Sequence, residues 1–229
     1  MPRQIPVGDA PLSREAQPVW DLPVRLVHWL LAGLIAFSWW SVHNHHTDWH
    51  IWSGCAILTL LIFRLLWGFV GSSTARFANF LRGPRAIGEY LHGRWSGIGH
   101  NPLGALSVIA LFLSLAIQVG LGLVAEDEDG LYTGPLYRLV SIDTSDKARD
   151  IHELWFNVIL GLIALHVLAI IIYRLRGKYL TKAMITGRAV LEPGVLPMRR
   201  ARWWLVFICL AAGIGVTRWI IAGAPPFSS

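Results

Sequence analysis

The chain has 229 residues, 54% apolar and 15% charged, with a mean hydropathy of +0.50. So apolar a composition argues against a water-soluble domain and for lipid as the solvent. Two cysteines and no Cys-x-x-Cys-His give no support to a disulfide scaffold or a covalently attached haem, and the net charge of +6 is distributed as a topology signal rather than as a nucleic-acid footprint.

Residues 1–19, with Pro2, Pro6, Pro11 and Pro18, read as an irregular lead-in. No small-residue cleavage site follows a short leader, so the first apolar stretch is expected to be retained. Pro23 suits the first turn of a helix, where its missing N–H costs nothing, and the stretch Val24–Val42 follows. After the turn "HNHHTD" comes Trp49–Val70, and then a basic loop with Arg76, Arg82, Arg85 and Arg94. Asn101 and Pro102 form a helix entry, cap and first position, for Pro102–Val124. The loop from Glu126 to Asp150 is acidic and has room for a short element at "LYRLV". The fourth stretch, Ile151–Tyr173, has a helix start expected as early as Asp143–Asp146. A basic linker over residues 189–202, containing "EPGVLP", leads to Trp203–Ala222 and a tail to residue 229.

Each of the five stretches has about 19 to 23 residues, which at 1.5 Å per residue spans roughly 30 Å of hydrocarbon. The predicted fold is all-α: an integral-membrane four-helix bundle plus a fifth C-terminal transmembrane helix. Arginine and lysine gather in the second loop and after the fourth stretch, whereas the "HNHHTD" turn and the "EDEDG" loop lack such an excess. The positive-inside rule then predicts a cytoplasmic N-terminus and, with five spans, a periplasmic C-terminus.

Four histidines lie in or at the edge of these stretches, where an ionisable group is costly unless paired or coordinated. His28 and His166 fall near the cytoplasmic side, His50 and His152 near the outer side, giving two depth-matched pairs. His152 and His166 are fourteen residues apart, two heptads and about 21 Å of rise, so they share one face of the fourth helix. Two imidazoles cannot complete a zinc site, but they can supply both axial ligands of an iron porphyrin, and two haems of b type would use all four. Arg64, fourteen residues after His50, either meets a haem propionate or snorkels to headgroups. His43, His45 and His46 with Asp48 form either a loose metal site or a hydrated turn, and His92 is expected to face water. Trp20, Trp40, Trp49, Trp67, Trp203 and Trp219 read as membrane-boundary anchors, and Cys55 and Cys209 as small buried hydrophobes.

The segments "VWDLPVRLVHW", "DWHIWSG", "FRLLWGF", "GHNPLGALSV" and "DIHELWFNVILGLIALHVLA" together resemble the prokaryotic cytochrome b561 family, in its branch near the cytochrome b subunits of nickel-iron hydrogenases. The resemblance covers residues 19–188 and implies a dihaem membrane domain over 20–188, with His28, His50, His152 and His166 as haem ligands. The family's "HNP" motif falls on His100 and Asn101, where a quinone or propionate contact or a plain helix cap are both open. The implied function is electron transfer through two non-covalent haem b groups between membrane quinone and a periplasmic cytochrome or dehydrogenase, in the bacterial inner membrane. A membrane anchor of a hydrogenase or dehydrogenase complex is the nearest alternative, and a homodimer or a respiratory complex are the assemblies open to it. A histidine-dependent proton or ion transporter is the other alternative, for which Glu153 is the candidate carboxylate. The fifth stretch departs from the compact four-helix members.

Overall fold

A computed structural model describes residues 15–191 and 194–225. Most of the lead-in, Glu192 and Pro193 of the linker, and the last four residues of the tail therefore lie outside the described residues. Four helices are long and apolar enough to cross a membrane: α1 (Leu22–His43), α2 (Thr47–Val70), α5 (Pro102–Val124) and α6 (Ile142–Leu175). Short helices α3 (Phe77–Phe80) and α4 (Pro84–Leu91) lie between α2 and α5, α7 (Leu180–Thr186) comes after α6, and α8 (Leu205–Ile221) follows.

Three of the four long helices start where the sequence supplies a side-chain cap, and α2, which follows His46, has none. Asp21 accepts from Val24 N at 2.9 Å before α1, and Asn101 accepts from Gly104 N at 2.8 Å before α5. Ser141 caps α6, so this helix begins at Ile142, close to the early start expected, and protrudes beyond the apolar stretch. The turn between α1 and α2 is tight enough to put His45 at φ 60, with His46 N bonded back to Ser41 O at 2.9 Å. Between α5 and α6, "LYRLV" forms a 3-10 turn at Tyr137–Leu139. Gly134 there packs on the carbonyls of Gly122 and Leu123, where any side chain would collide with backbone.

The bundle has a basic end, holding the start of α1 and the close of α6, and an acidic end, holding Glu126 to Asp129. The helix pairs α1 with α2, α5 with α6, and α2 with α5 pack on one another. Ile57, Leu61, Leu115, Val119 and Ile159 make the central core, while Val24, Val27, Phe63, Trp67, Ala75 and Cys209 make a second cluster toward the basic end. Trp67 is only 2% exposed, so it is a core residue and not the boundary anchor its position suggested. Cys209 is buried and Cys55 half-buried, both as free thiols.

At the basic end the chain is tied together by hydrogen bonds that no helical pattern foretells. Strands β1 (Gln17–Pro18) and β2 (Arg188–Ala189) pair antiparallel, a two-residue addition to an otherwise α-helical fold. Arg25 donates to the carbonyls of Met184 and Ile185, closing the end of α7. The linker is held as well: Met198 N donates to Pro18 O, and Arg199 N and Ala201 N donate to the hydroxyls of Ser73 and Ser72, each at 3.0 Å.

Helix α8 has 17 residues, shorter than the stretch Trp203–Ala222 expected to cross, and falls outside the four spanning candidates. It lies along α2 in antiparallel register. Thr59 Oγ1 donates to Thr217 Oγ1 at 2.9 Å, and a Cβ at Gly213 would come 2.9 Å from Thr59 O, so Cys209, Gly213 and Thr217 form a small-residue face pressed against α2.

Candidate paired-imidazole sites

The side chains of His28 on α1 and His166 on α6 meet at the basic end, with ring centres 6.4 Å apart and ring planes at 49°. At the acidic end His50 on α2 and His152 on α6 meet with centres 5.9 Å apart and planes at 81°. A metal ion between two imidazoles, bonded to each at about 2 Å with each nitrogen about 1 Å from its ring centre, sets the centres about 6 Å apart. Both pairs have that ring-centre spacing. Among the described residues no group of three or more His, Cys, Asp or Glu could hold a metal. The same finding removes the metal reading of His43, His45, His46 and Asp48. His46 instead stacks on Trp49 and Trp40, and His43 on Trp39.

Three of the four imidazoles have a hydrogen-bond partner at Nδ1. His50 Nδ1 lies 3.0 Å from both Ser38 O and Ser38 Oγ, and His152 Nδ1 lies 2.9 Å from Gln118 O. His166 Nδ1 has the weaker partner Ser107 Oγ at 3.5 Å. His28 Nδ1 is buried without a partner. Acceptors at Nδ1 fix the ring and raise the basicity of the opposite nitrogen, the usual support for a metal-binding imidazole.

A cavity of about 710 Å³ opens beside the acidic-end pair, lined by His50 and His152 and by Ile35, Gly54, Val119, Gly122 and Phe156. Its size and mainly apolar wall suit a planar macrocycle. At Gly122 a Cβ would fall 2.9 Å from His152 Cε1, so a larger residue there displaces the imidazole. Glu153 lines the mouth and is exposed, so it faces out of the bundle rather than into a path through it. Between the two sites lies an aliphatic layer. Ile159, midway between His152 and His166, is 1% exposed, and Ile57 and Leu115 join it.

The basic-end pair has polar neighbours that α2 and the loop before α5 bring in. Arg64 is 7% exposed, its guanidinium 5.3 Å over the Phe77 ring, and its Nη1 is buried without a partner. The burial rules out simple snorkelling into headgroups. The His100 ring is held between Trp20 and Phe80, with centres 4.6 and 4.8 Å away, and its Nδ1 is buried and unpartnered. Burial pushes this imidazole down to about 3, helped by Arg64, His166 and His28 nearby. Two buried polar groups without partners, Arg64 Nη1 and His100 Nδ1, thus gather beside one imidazole pair, an arrangement that fits a ligand carrying a carboxylate. Asn101 is committed elsewhere: besides its cap, its Nδ2 donates to Tyr173 Oη at 2.9 Å, and Tyr173 Oη also meets Tyr90 Oη.

Sequence patterns did not reveal Asp21, whose Oδ2 accepts from Trp67 Nε1 at 3.0 Å, nor Ser38, Ser107 and Gln118, the residues that orient the histidines. The Asp-x-Pro start of α1 was a signal for the first. Ser38 and Gln118 offer backbone carbonyls, which leave no mark in side-chain identity, and Ser107 a hydroxyl.

A bundle of membrane-spanning helices with two imidazoles brought together toward each end defines an all-α, multi-pass membrane protein. The model of the prokaryotic cytochrome b561 family matches residues 19–187, and the chain belongs to that family. Membership and the spanning bundle together support a role as an electron-transfer cytochrome of the inner membrane. Comparison with curated proteins and with solved structures gave no match.

Proposed function

We propose that the protein carries electrons across the membrane through two non-covalent b haems, one between His28 and His166 and one between His50 and His152. The observation that supports this most is the repeated ring-centre spacing of 6.4 and 5.9 Å in two pairs at opposite ends of the bundle. Bound there, the haems supply one-electron chemistry, and the polypeptide supplies ligands, orientation and a dry surround.

In this reading each imidazole is neutral, and Nε2 offers its lone pair to iron while Nδ1–H, where an acceptor exists, donates to it. Ile57, Leu115 and Ile159 keep water from the space between the sites. Arg64 and His100 face a propionate of the basic-end haem, Arg64 through charge-assisted hydrogen bonds. Membrane quinone or quinol exchanges electrons at the basic end, near His100 and Asn101, and a periplasmic cytochrome or dehydrogenase docks at the acidic end. The negative potential of the loop Glu126–Asp129 would complement a basic partner.

The basic end faces the cytoplasm, and α8 crosses the bilayer beside α2. Its 17 residues give about 25 Å, with Trp203 and Trp204 at one end and Trp219 at the other as interfacial residues. Arg218 lies near the far end, within reach of headgroups. Reporter fusions should place the two termini on opposite faces; both on one face would mean that α8 does not cross.

Quantitative extraction tests the main reading. Two non-covalent haems per chain, both low-spin with two axial imidazoles by electron paramagnetic resonance, are expected; a folded chain that binds none would overturn it.

A further inference from the structure

The chain around the end of α6 gathers cations that no nearby carboxylate answers. Residues 173–191 carry Arg174, Arg176, Lys178, Lys182 and Arg188 and no aspartate or glutamate. Among the described residues neither Arg174 nor Lys182 forms an ion pair. Both line a small cleft between the end of α6 and the start of α7, with Ile170, Tyr179, Leu180 and Thr181 as the rest of its wall. At about 40 Å³ it has room for a few water-sized atoms, and so for one phosphate group.

The turn that closes α6 builds the cleft. Gly177, at φ 76, reverses the chain, and the bonds from Lys178 N to Tyr173 O at 2.8 Å and from Gly177 N to Arg174 O at 3.0 Å fix the reversal. Tyr179 is thereby brought back to Arg174, whose guanidinium lies 5.9 Å from the ring centre. Arg25 holds the other end of α7 through the carbonyls of Met184 and Ile185. The two cations therefore sit on a frame fixed at both ends. Its depth is that of lipid headgroups, because the apolar stretch of α6 ends at Tyr173, one residue before Arg174. Deeper in the membrane, Val167 and Ile171 are exposed and share a face of α6 with Ile170 and Arg174.

We propose that this cleft binds one anionic glycerophospholipid of the leaflet at the basic end, with its phosphodiester between Arg174 and Lys182 and an acyl chain along Val167 and Ile171. The two cations supply charge-assisted hydrogen bonds to the phosphate, and Thr181 adds a hydroxyl. The apolar rail distinguishes a lipid from a free phosphate, which would leave it uncovered. A zwitterionic headgroup brings its own cation toward Arg174 and Lys182 and is disfavoured.

The test is native mass spectrometry of the delipidated full-length chain in detergent, titrated with dioleoyl phosphatidylglycerol, dioleoyl phosphatidylcholine or inorganic phosphate. One phosphatidylglycerol per chain should be retained at a concentration where phosphatidylcholine is not, and excess phosphate should not displace it. Arg174→Gln and Lys182→Gln should each weaken retention roughly fivefold, and the double variant further. Lys182 is exposed, so its variant decides the question if Arg174→Gln perturbs the turn. A double variant of Arg82→Gln and Arg94→Gln, two exposed cations of the same end outside the cleft, removes the same charge and should retain the lipid as the parent does. Equal retention of phosphatidylcholine, displacement by phosphate, or an equal loss in the Arg82 and Arg94 variant would overturn the proposal. The last would mean that only the net charge of this end attracts anionic lipid.

Discussion

The Asp21 carboxylate joins the start of α1 to the end of α2: Oδ1 caps the helix through Val24 N at 2.9 Å, and Oδ2 accepts from Trp67 Nε1 at 3.0 Å. Both groups are shielded, so neither bond can be replaced by water at no cost. His28 stands two turns along α1 from this anchor, and Trp67 lies one turn beyond Arg64 on α2. The contact therefore sets the relative height of two residues of the basic-end site.

Asp21→Ala removes a cap, at about 1 kcal/mol, and leaves a buried indole N–H unpaired, at about 1–3 kcal/mol. Thermal unfolding in detergent should show a clear loss of stability, with the basic-end haem released before the other. Asp21→Asn keeps oxygen for one of the two bonds and should lose less. Equal release of both haems would separate Asp21 from the site.

At the contact of α8 with α2, Gly213→Leu puts a side chain against the Thr59 carbonyl, which cannot rotate away. Cys209, buried in the same contact, reports on it. In a Cys55→Ser background its thiol should resist maleimide in the parent chain and react several-fold faster in Gly213→Leu, with Gly213→Ala between. Unchanged reactivity would mean that the small-residue face does not hold α8.

The bundle and its two histidine pairs were legible because their signals are local and periodic. Apolar stretches of membrane length mark the four long helices, and the fourteen-residue interval from His152 to His166 places both on one face. Trp67 was misread because a tryptophan near the end of an apolar stretch looks the same whether it faces lipid or an aspartate 46 residues earlier in the chain. Arg25 was likewise ambiguous until α7 supplied the carbonyls it caps. The length of α8 escaped because apolarity extends beyond the residues that keep helical hydrogen bonds. The unequal Nδ1 acceptors were invisible, since Ser38 and Gln118 act through main-chain oxygens whose position only tertiary packing decides.

Gly122 tests the acidic-end site from the side. A Cβ there lies 2.9 Å from His152 Cε1 and 3.2 Å from Nδ1, so Gly122→Val must displace the ring and break its bond to Gln118 O. Haem quantification should show selective loss or conversion of the acidic-end haem, with the basic-end spectrum retained. A normal spectrum for both would contradict the placement of His152.

His100 gives a pH dependence whose sign is determined. Its folded-state value near 3 lies below the ordinary histidine value of 6.5, so the unfolded chain binds the proton more readily. The contribution of this residue to stability is fully present above about pH 6.5 and is lost as pH falls toward 3. His100→Gln should flatten the decline in thermal midpoint between pH 6.5 and 4 relative to the parent chain. Parallel curves would show that the buried imidazole does not titrate in this range.

The pairing of the histidines carries the whole functional reading, and haem content of four single variants measures it directly. His28→Ala and His166→Ala should each remove or convert one spectral centre, the same one in both. His50→Ala and His152→Ala should each remove or convert the other. A pattern in which His152→Ala and His166→Ala affect the same centre, or in which any of the four retains both haems unaltered, would contradict the assignment.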